Sequence, residues 1–475
     1  MYVSRQEARS GERKRRSRRF KRLMIWNGIM LAAILVMAAV FLTTGGGLGS
    51  SGNSNTEAEA SGQTAGQQGI DPAGNAGQSG GEAEQNDPPG KGPADDQQSV
   101  PPGQDKVVDG ALSGNASTGD GSESSESTAD GESGTDSGPA LPAQDTSSPD
   151  LEVSAPQVED DGTKVRLAFV GDILLAASVE KLMRNKGMDY PYQKALPYLQ
   201  EPDLTAANLE NPITTRGVPA EDKQYVFKGH PDLVPSLVDA GFDVVSLANN
   251  HTLDQGVEGL LDTIDHLRDA GLPNMGGGRN DTEAFAPAVL EAKGLSIAYF
   301  GVTRVVPVGE WKADKNRAGV AESYDSTRAV AAIKRARAEH DLIVVMVHWG
   351  EEKKDFPVDT QKRLARDYID AGADLVIGSH PHVLQGFEQY KGKWIAYSLG
   401  NFIFNMTNTL KTRDTGVLDA VCSRSGHCEL QLHPMKAENS QPAPLEGEEA
   451  RKLLKWVESI SFNAAIDENG RISAK

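Results

Sequence analysis

From residue 164 onward, short runs of β-branched and aliphatic residues alternate with stretches whose apolar positions recur every three to four residues. The runs 164–170 (KVRLAFV), 203–209 (DLTAANL), 242–248 (FDVVSLA), 295–301 (LSIAYFG), 341–348 (DLIVVMVH) and 373–379 (ADLVIGS) predict strands. Between them, helices are expected from the end of the first strand to about Lys186 and over 231–241, 256–271, 326–340 and 358–372. The helix over 326–340 closes on a basic turn, which suits the negative end of its dipole. A further strand over 393–402 (KWIAYSLGNF), two strand-like runs at 416–422 and 428–434, and a helix over 447–461 complete the pattern. Strands alternating with amphipathic helices predict an α/β layered domain.

Upstream the pattern is different. Leu23 to Leu42 carries no charge and is interrupted only by Asn27 and Gly28, long enough to cross a hydrocarbon core of about 30 Å. Residues 1–22 hold ten Lys/Arg against two acids, and no basic residue follows the apolar run until Lys91. The positive-inside rule then predicts a cytoplasmic tail (1–22), an uncleaved signal-anchor helix (23–43) and a main domain outside the cell membrane. Residues 44–163 carry 22 Asp/Glu against two Lys and no Phe, Trp, Tyr or Cys. Such a segment cannot bury enough apolar area to offset its ordering entropy, so a disordered, self-repelling acidic linker is expected. Of the total charge of −19, residues 164–475 keep only −7, with Lys and Arg scattered, which disfavours a nucleic-acid partner. Folding is expected over 164–462, with 463–475 as a C-terminal tail. Cys422 and Cys428 flank a turn centred on Ser425-Gly426; they are expected either to close a short disulfide or to stay as two thiols.

The chemistry lies where the strands end. The first strand ends in Asp172, the second exits through Asn208 and Glu210, and the third through Asn249, Asn250 and His251. The run 341–348 ends in His348, 373–379 leads into His380 and His382, and 393–402 carries Asn401. In open α/β sheets the ligand crevice lies outside the carboxyl ends of the strands. Six ends deliver polar side chains there, including four of the nine histidines. Each residue alone reads as a cap, turn or packed side chain; their coincidence predicts one shared site. Oxygen and imidazole donors without thiolate suit Mn, Zn, Fe or Mg, as one or two divalent ions. Two such ions about 3.5–4 Å apart would polarise an ester and generate hydroxide, with His251 as general acid. Acyl transfer by Ser379 or Ser398 is disfavoured, because neither stands in G-x-S-x-G.

At FVGD, ANLENPIT, SLANNHTLDQG, VHWGEE, GSHPHVLQGFE and YSLGNFIF the sequence resembles the poly-γ-glutamate capsule synthesis family CapA/PgsA, over about residues 166–405 with a family-like tail to about 462. The resemblance implies a membrane-tethered extracytoplasmic domain related to calcineurin-like metallophosphoesterases, hence a metallophosphatase-like layered α/β/β/α fold. It implies Asp172 and His382 as ligands of a first metal, Glu210 as the bridging carboxylate, and Asn250, His348 and His380 as ligands of a second. His251 would be the phosphate-contacting acid. Leu174 stands where that wider class has a His, and Asn208-Leu209-Glu210 replaces its G-D-x-x-D segment, which weakens the hold on the first metal.

Three functions are compatible with these features. The first is a part in production or export of poly-γ-glutamate, with the polymer and membrane proteins of a capsule complex as partners. The second is a metal-dependent hydrolase of another envelope substrate; the third is a non-catalytic assembly scaffold. Asn208, Asn249, Lys223 and Asn401 are the candidates for substrate contact. A polyanion nearing a domain of net −7 needs metal or local positive charge, for which Lys223, Lys228, Arg304 and Lys312 are the candidates.

Overall fold

The computed structural model describes residues 161–404 and 409–475. The expected cytoplasmic tail, the 23–43 span and nearly all of the 44–163 linker lie outside the described residues. Among the described residues no helix is long and apolar enough to cross a membrane.

The chain begins with β1 (Lys164–Ile173), α1 (Ala177–Lys186), α2 (Leu196–Gln200), β2 (Leu204–Leu209), α3 (Val234–Ala240), β3 (Val244–Ser246), α4 (Gly256–Asp269) and β4 (Asn274–Met275). It continues through β5 (Gly277–Gly278), α5 (Asp281–Ala284), β6 (Ala288–Ala292), β7 (Leu295–Thr303), β8 (Gly319–Val320), α6 (Thr327–Arg337), β9 (Leu342–His348), α7 (Asp359–Asp370) and β10 (Leu375–Ser379). It ends with β11 (Leu384–Tyr390), β12 (Lys393–Leu399), β13 (Asn401–Ile403), β14 (Asp414–Ser423), β15 (Cys428–Glu438), β16 (Gln441–Pro444), α8 (Gly447–Ser459), β17 (Ala464–Ile466) and β18 (Arg471–Ala474).

Two large sheets result. The first runs β17-β18-β15-β14-β1-β2-β3-β4, and the second β11-β12-β10-β9-β7-β6. Side-chain alternation shows how they are layered. On β1, Val165, Leu167 and Phe169 enter a core shared with the second sheet, while Ala168 and Val170 enter a core shared with α1, α3 and α4. On β9, Leu342, Val344 and Met346 face the shared core, while Ile343, Val345 and Val347 pack with α6 and α7. The result is a mixed α/β domain of four layers: helices, sheet, sheet, helices. Each large apolar side chain so buried contributes about 1.5–3 kcal/mol, and a one-residue slip of β1 would bring Arg166 into the inter-sheet core.

In the first sheet β1, β2, β3 and β4 run parallel, and in the second β7, β9, β10 and β12 do. The polar strand ends therefore gather along one edge. There the chain differs from the sequence expectation. The run 393–402 is two strands in two sheets: β12 pairs with β10, and β13 pairs with β1, setting Asn401 opposite Asp172. The break falls at Gly400, at φ +67, a conformation open to glycine. Gly171 has no room for a side chain either, because a Cβ there would lie 1.8 Å from the Gly400 carbonyl oxygen. These two glycines let the sheets touch beneath Asp172, whose N–H donates to that carbonyl (3.0 Å).

Residues 463–475 are not a tail. β17 and β18 form a hairpin that joins the first sheet through β15, with Ala464, Ile466 and Ile472 in the inter-sheet core. Of the two cysteine alternatives the structure has the disulfide, between directly paired positions of β14 and β15.

Candidate metal centre

Asp172 lies in the last residues of β1, His348 ends β9, and Asn208 lies near the end of β2, with Glu210 just beyond it. His380 and His382 sit on the turn after β10, at φ +96 and +56 around Pro381. That left-handed backbone is strained for residues with side chains, and here it aims two imidazoles at one cluster. Glycine helps again: a Cβ on Gly378 would meet the Tyr397 carbonyl oxygen at 2.0 Å.

All six residues expected to ligate metal meet. Asp172 Oδ2 lies 3.4 Å from His382 Nδ1 and accepts the His380 N–H (3.3 Å). Asp172 Oδ1 accepts from Asn208 Nδ2 (2.8 Å), which also approaches Glu210 Oε2 (3.2 Å) and His348 Nδ1 (3.3 Å). His348 Nε2 lies 2.9 Å from Asn250 Oδ1 and 3.1 Å from His380 Nδ1. Glu210 Oε1 lies 3.7 Å from His348 Nε2 and 3.8 Å from His382 Nε2, and this buried oxygen has no hydrogen-bond partner. Asp172 and Glu210 are fully inaccessible, and His382, the least buried of the three imidazoles, is 8% exposed.

Burial sets the protonation. It drives the Glu210 carboxyl well above the ordinary carboxylate value, and the adjacent Asp172 adds to the effect. Burial also opposes charge on Asp172, yet the hydrogen bond and charge of His382, then His348 and Asn208, outweigh it and bring Asp172 down. Burial, followed by repulsion from His380, pushes His348 well below the usual imidazole range. Burial, then His382, takes His380 down to about 3. Burial would lower His382 as well, but its hydrogen bond to Asp172 and that carboxylate's charge raise it. Two of the imidazoles are thus neutral, the form a metal requires, and Glu210 is the carboxyl whose ionisation a cation would favour.

The donor set fits a divalent ion. One ligand atom each from Asp172, Glu210 and His348 lie within 4.8 Å of one another. An ion bound at roughly 2.0–2.2 Å holds its ligands no more than about 4.4 Å apart, so a closure of a few tenths of an ångström suffices. The unpartnered Glu210 oxygen and facing imidazole nitrogens are what a cation would satisfy.

The residues expected to touch substrate lie in or directly beside the cluster, hydrogen-bonded to its members. Asn208 and Asn249 are buried behind the ligands: Asn249 Nδ2 donates to Asn208 Oδ1 (3.0 Å) and to the Leu209 carbonyl (2.8 Å), fixing the amide at the hub. Asn401 Oδ1 holds His382 Nδ1 (2.8 Å). Lys223 is no free cation, because its Nζ is paired with Asp254 (2.5 Å) and contacts the Asn250 carbonyl and His251 Nδ1 (2.9 Å). Each has its polar atoms bonded to neighbouring residues, and Asn401 Nδ2 also donates to the Thr412 carbonyl (3.3 Å). Lys228 is exposed. The second Ser candidate, Ser398, donates to the Val383 carbonyl, while Ser379 Oγ lies 3.0 Å from His348 Nδ1 and orients that ring.

Sequence reading missed Asp254. Its Oδ2 lies 2.8 Å from His251 Nδ1 and accepts the Phe227 N–H (2.7 Å). The signal was present, since a carboxylate three residues after the histidine in HTLD is placed to meet the ring. Burial lowers the His251 pKa, and Asp254 opposes the shift. Phe227 and Phe404 lie against the His251 and His382 rings, each with centroids 4.7 Å apart.

The domain is a mixed α/β fold with a buried oxygen-and-imidazole cluster, a candidate metal site, at the carboxyl edge of two stacked sheets. Residues 166–406 match the family described as bacterial capsule synthesis protein PGA_cap, and the chain belongs to that family. The PGA biosynthesis protein CapA of Bacillus subtilis (strain 168) is 35% identical over 322 residues, covering 65% of this chain and 84% of that protein. The capsule biosynthesis protein CapA of Bacillus anthracis is 32% identical over 301 residues, covering 62% and 72%. Among solved structures, the NAD nucleotidase of Haemophilus influenzae overlays with a TM-score of 0.38 at 13% identity, covering 65% of each chain.

Proposed function

We propose that the chain is a membrane-anchored, extracytoplasmic component of poly-γ-glutamate capsule production or export, with a metallophosphatase-like metal site at its strand ends. Family membership and the names of the Bacillus relatives support the capsule role. The uncharged run 23–43 behind a basic tail supports the anchor, and a Cys422–Cys428 disulfide suits the oxidising side of a membrane. On this reading the anionic polymer is the ligand, and partners sit beside the membrane span.

The observation that carries the metal reading is the buried Glu210 Oε1, unpartnered and 3.7–3.8 Å from two imidazole nitrogens. Asp172 and His382 would hold an ion on one side, Asn250, His348 and His380 on the other, with Glu210 between. A bound divalent ion there would act as a Lewis acid and lower the pKa of a water. His251 supplies proton chemistry of its own. With Nδ1–H donated to Asp254, the neutral ring leaves Nε2 to take up a proton, and the imidazolium so formed is stabilised by the same carboxylate. Lys223 beside Nδ1 disfavours that charged form, so the proton is readily given up again.

The test is complementation. In the strain that carries this gene, the chain is replaced by Asp172→Asn or His348→Ala, and cell-bound γ-linked glutamate polymer is measured after hydrolysis. Loss of polymer, with the variants present at normal levels, is expected. Wild-type polymer levels in both variants would remove the metal site from the function. Polymer lost in His251→Ala with metal retained would support chemistry at the site; polymer unaffected in that variant would favour a scaffold.

A further inference from the structure

The loop that leaves β7 starts beside the cluster and carries two basic residues, Arg304 and Lys312. Arg304 follows Thr303, the last residue of β7, and its N–H donates to the carbonyl of the ligand residue His348 (2.8 Å). Its guanidinium carbon lies 3.7 Å from the centroid of the Tyr324 ring, and Lys312 Nζ lies 4.2 Å from the same centroid. The ring is held at both ends: Tyr324 Oη accepts the Val306 N–H (3.3 Å), and the Tyr324 N–H donates to Glu322 Oε2 (2.7 Å). All three side chains belong to half-buried residues.

Among the described residues neither Arg304 nor Lys312 has an ion-pair partner, and the buried Arg304 Nε has no hydrogen-bond partner. The adjacent acids do not fill the role. Glu322 is paired with Arg328 (2.9 Å), Asp314 lies 4.0 Å from Arg317, and Glu310 is exposed on the surface. The Tyr324 ring gathers both cations without neutralising either, and an oxyanion reaching them would gain charge-assisted hydrogen bonds. The same loop reaches the proton-handling residues through Trp311, the residue before Lys312 in the chain, whose ring lies 5.4 Å from Lys223 Nζ. Lys223 is already committed to Asp254, whereas Arg304 and Lys312 have no ion-pair partner among the described residues.

We propose that Arg304, Lys312 and Tyr324 form an anion subsite that receives a carboxylate or phosphate group of the substrate beside the strand-end cluster. It rests on the proposed function for what the cluster does, but not for whether an anion binds. In a domain of net −7 such a local patch is what lets an anionic chain approach.

The test is calorimetric titration of the full chain, metal-supplied and chelator-treated, with a γ-linked glutamate oligomer and separately with inorganic phosphate. Arg304→Gln, Lys312→Gln and their double variant are compared with Lys334→Gln, an exposed lysine on α6. Expected is at least tenfold weaker binding in Arg304→Gln, a larger loss in the double variant, and wild-type behaviour in Lys334→Gln, with metal content unchanged. Preference for the oligomer identifies a carboxylate ligand; binding of phosphate alone identifies a phosphate ligand. Failure of both probes to bind the wild type overturns the subsite, as do unaffected variants or an equal loss in Lys334→Gln. Absence of metal with a specific Arg304 effect would sink the metal reading and leave the subsite standing. Lys312→Gln keeps the test valid should Arg304→Gln fail to fold.

Discussion

Replacing Glu210 by Gln separates what the carboxyl costs the fold from what it does for a metal. Glu210 is fully buried, and its Oε1 has no hydrogen-bond partner. An unsatisfied buried acceptor costs roughly 1–3 kcal/mol, and gathering charge near Asp172 adds to that. Because the folded state raises the Glu210 pKa above its ordinary 4.5, the native protein keeps a proton that the unfolded chain has released above that pH. Metal-free wild type therefore loses stability as pH climbs from 4.5 toward the raised value, whereas Gln, neutral throughout, removes that dependence. Chelator-treated Glu210→Gln should thus be the more stable protein at neutral pH, by about 1–3 kcal/mol. At about 2 °C per kcal/mol for a domain of this size, that is a rise of about 2–6 °C. Supplying a divalent ion at a hundred times its dissociation constant should stabilise wild type by about 2.7 kcal/mol and the variant hardly at all. Thermal unfolding of the full chain, with and without metal and at several pH values, reads every part of this. A variant that melts below the metal-free wild type and keeps the full metal-induced shift would refute the reasoning.

Three further outcomes follow from the same geometry. Gly171→Ala puts a methyl 1.8 Å from the Gly400 carbonyl oxygen and 2.9 Å from its carbon, backbone that cannot swing aside. A loss of about 3 kcal/mol in denaturant unfolding, together with loss of bound metal as Asp172 is displaced, is expected. Asp254→Asn removes the carboxylate paired with the buried Lys223 ammonium, 7% exposed; stability should fall by about 3–5 kcal/mol, and adding Lys223→Met should recover much of it in urea titrations. Reduction of the Cys422–Cys428 disulfide, which closes a loop of sequence separation 6, should lower the unfolding free energy by only about 2 kcal/mol.

Much of the site was legible because parallel strands deliver their last residues to a common edge. Asp172, Glu210, Asn250, His348, His380 and His382 could be grouped from strand ends alone, and the structure brings them together. What hid from sequence was whether a polar side chain faces the ligand or supports it. Asn208, Asn249, Asn401 and Lys223 occupy strand ends or loops like the ligands do, but their hydrogen bonds turn inward to neighbouring residues. Only a three-dimensional partner distinguishes the two cases. The crossing at Gly400 was hidden for a related reason: 393–402 reads as one mostly apolar run, and nothing in its periodicity marks the residue where it changes sheets. The pairing of 471–474 with β15 depends on contacts some forty residues away, and the run itself is too short and polar to predict a strand.

Metal content of the full chain, purified after growth with Mn, Zn and Fe supplied, tests the central claim most directly. Elemental mass spectrometry should find one or two divalent ions per chain in the wild type and none in a His348→Ala, His380→Ala double variant that retains its fold. A wild-type chain without bound metal, or a double variant that holds as much as the wild type, would contradict it.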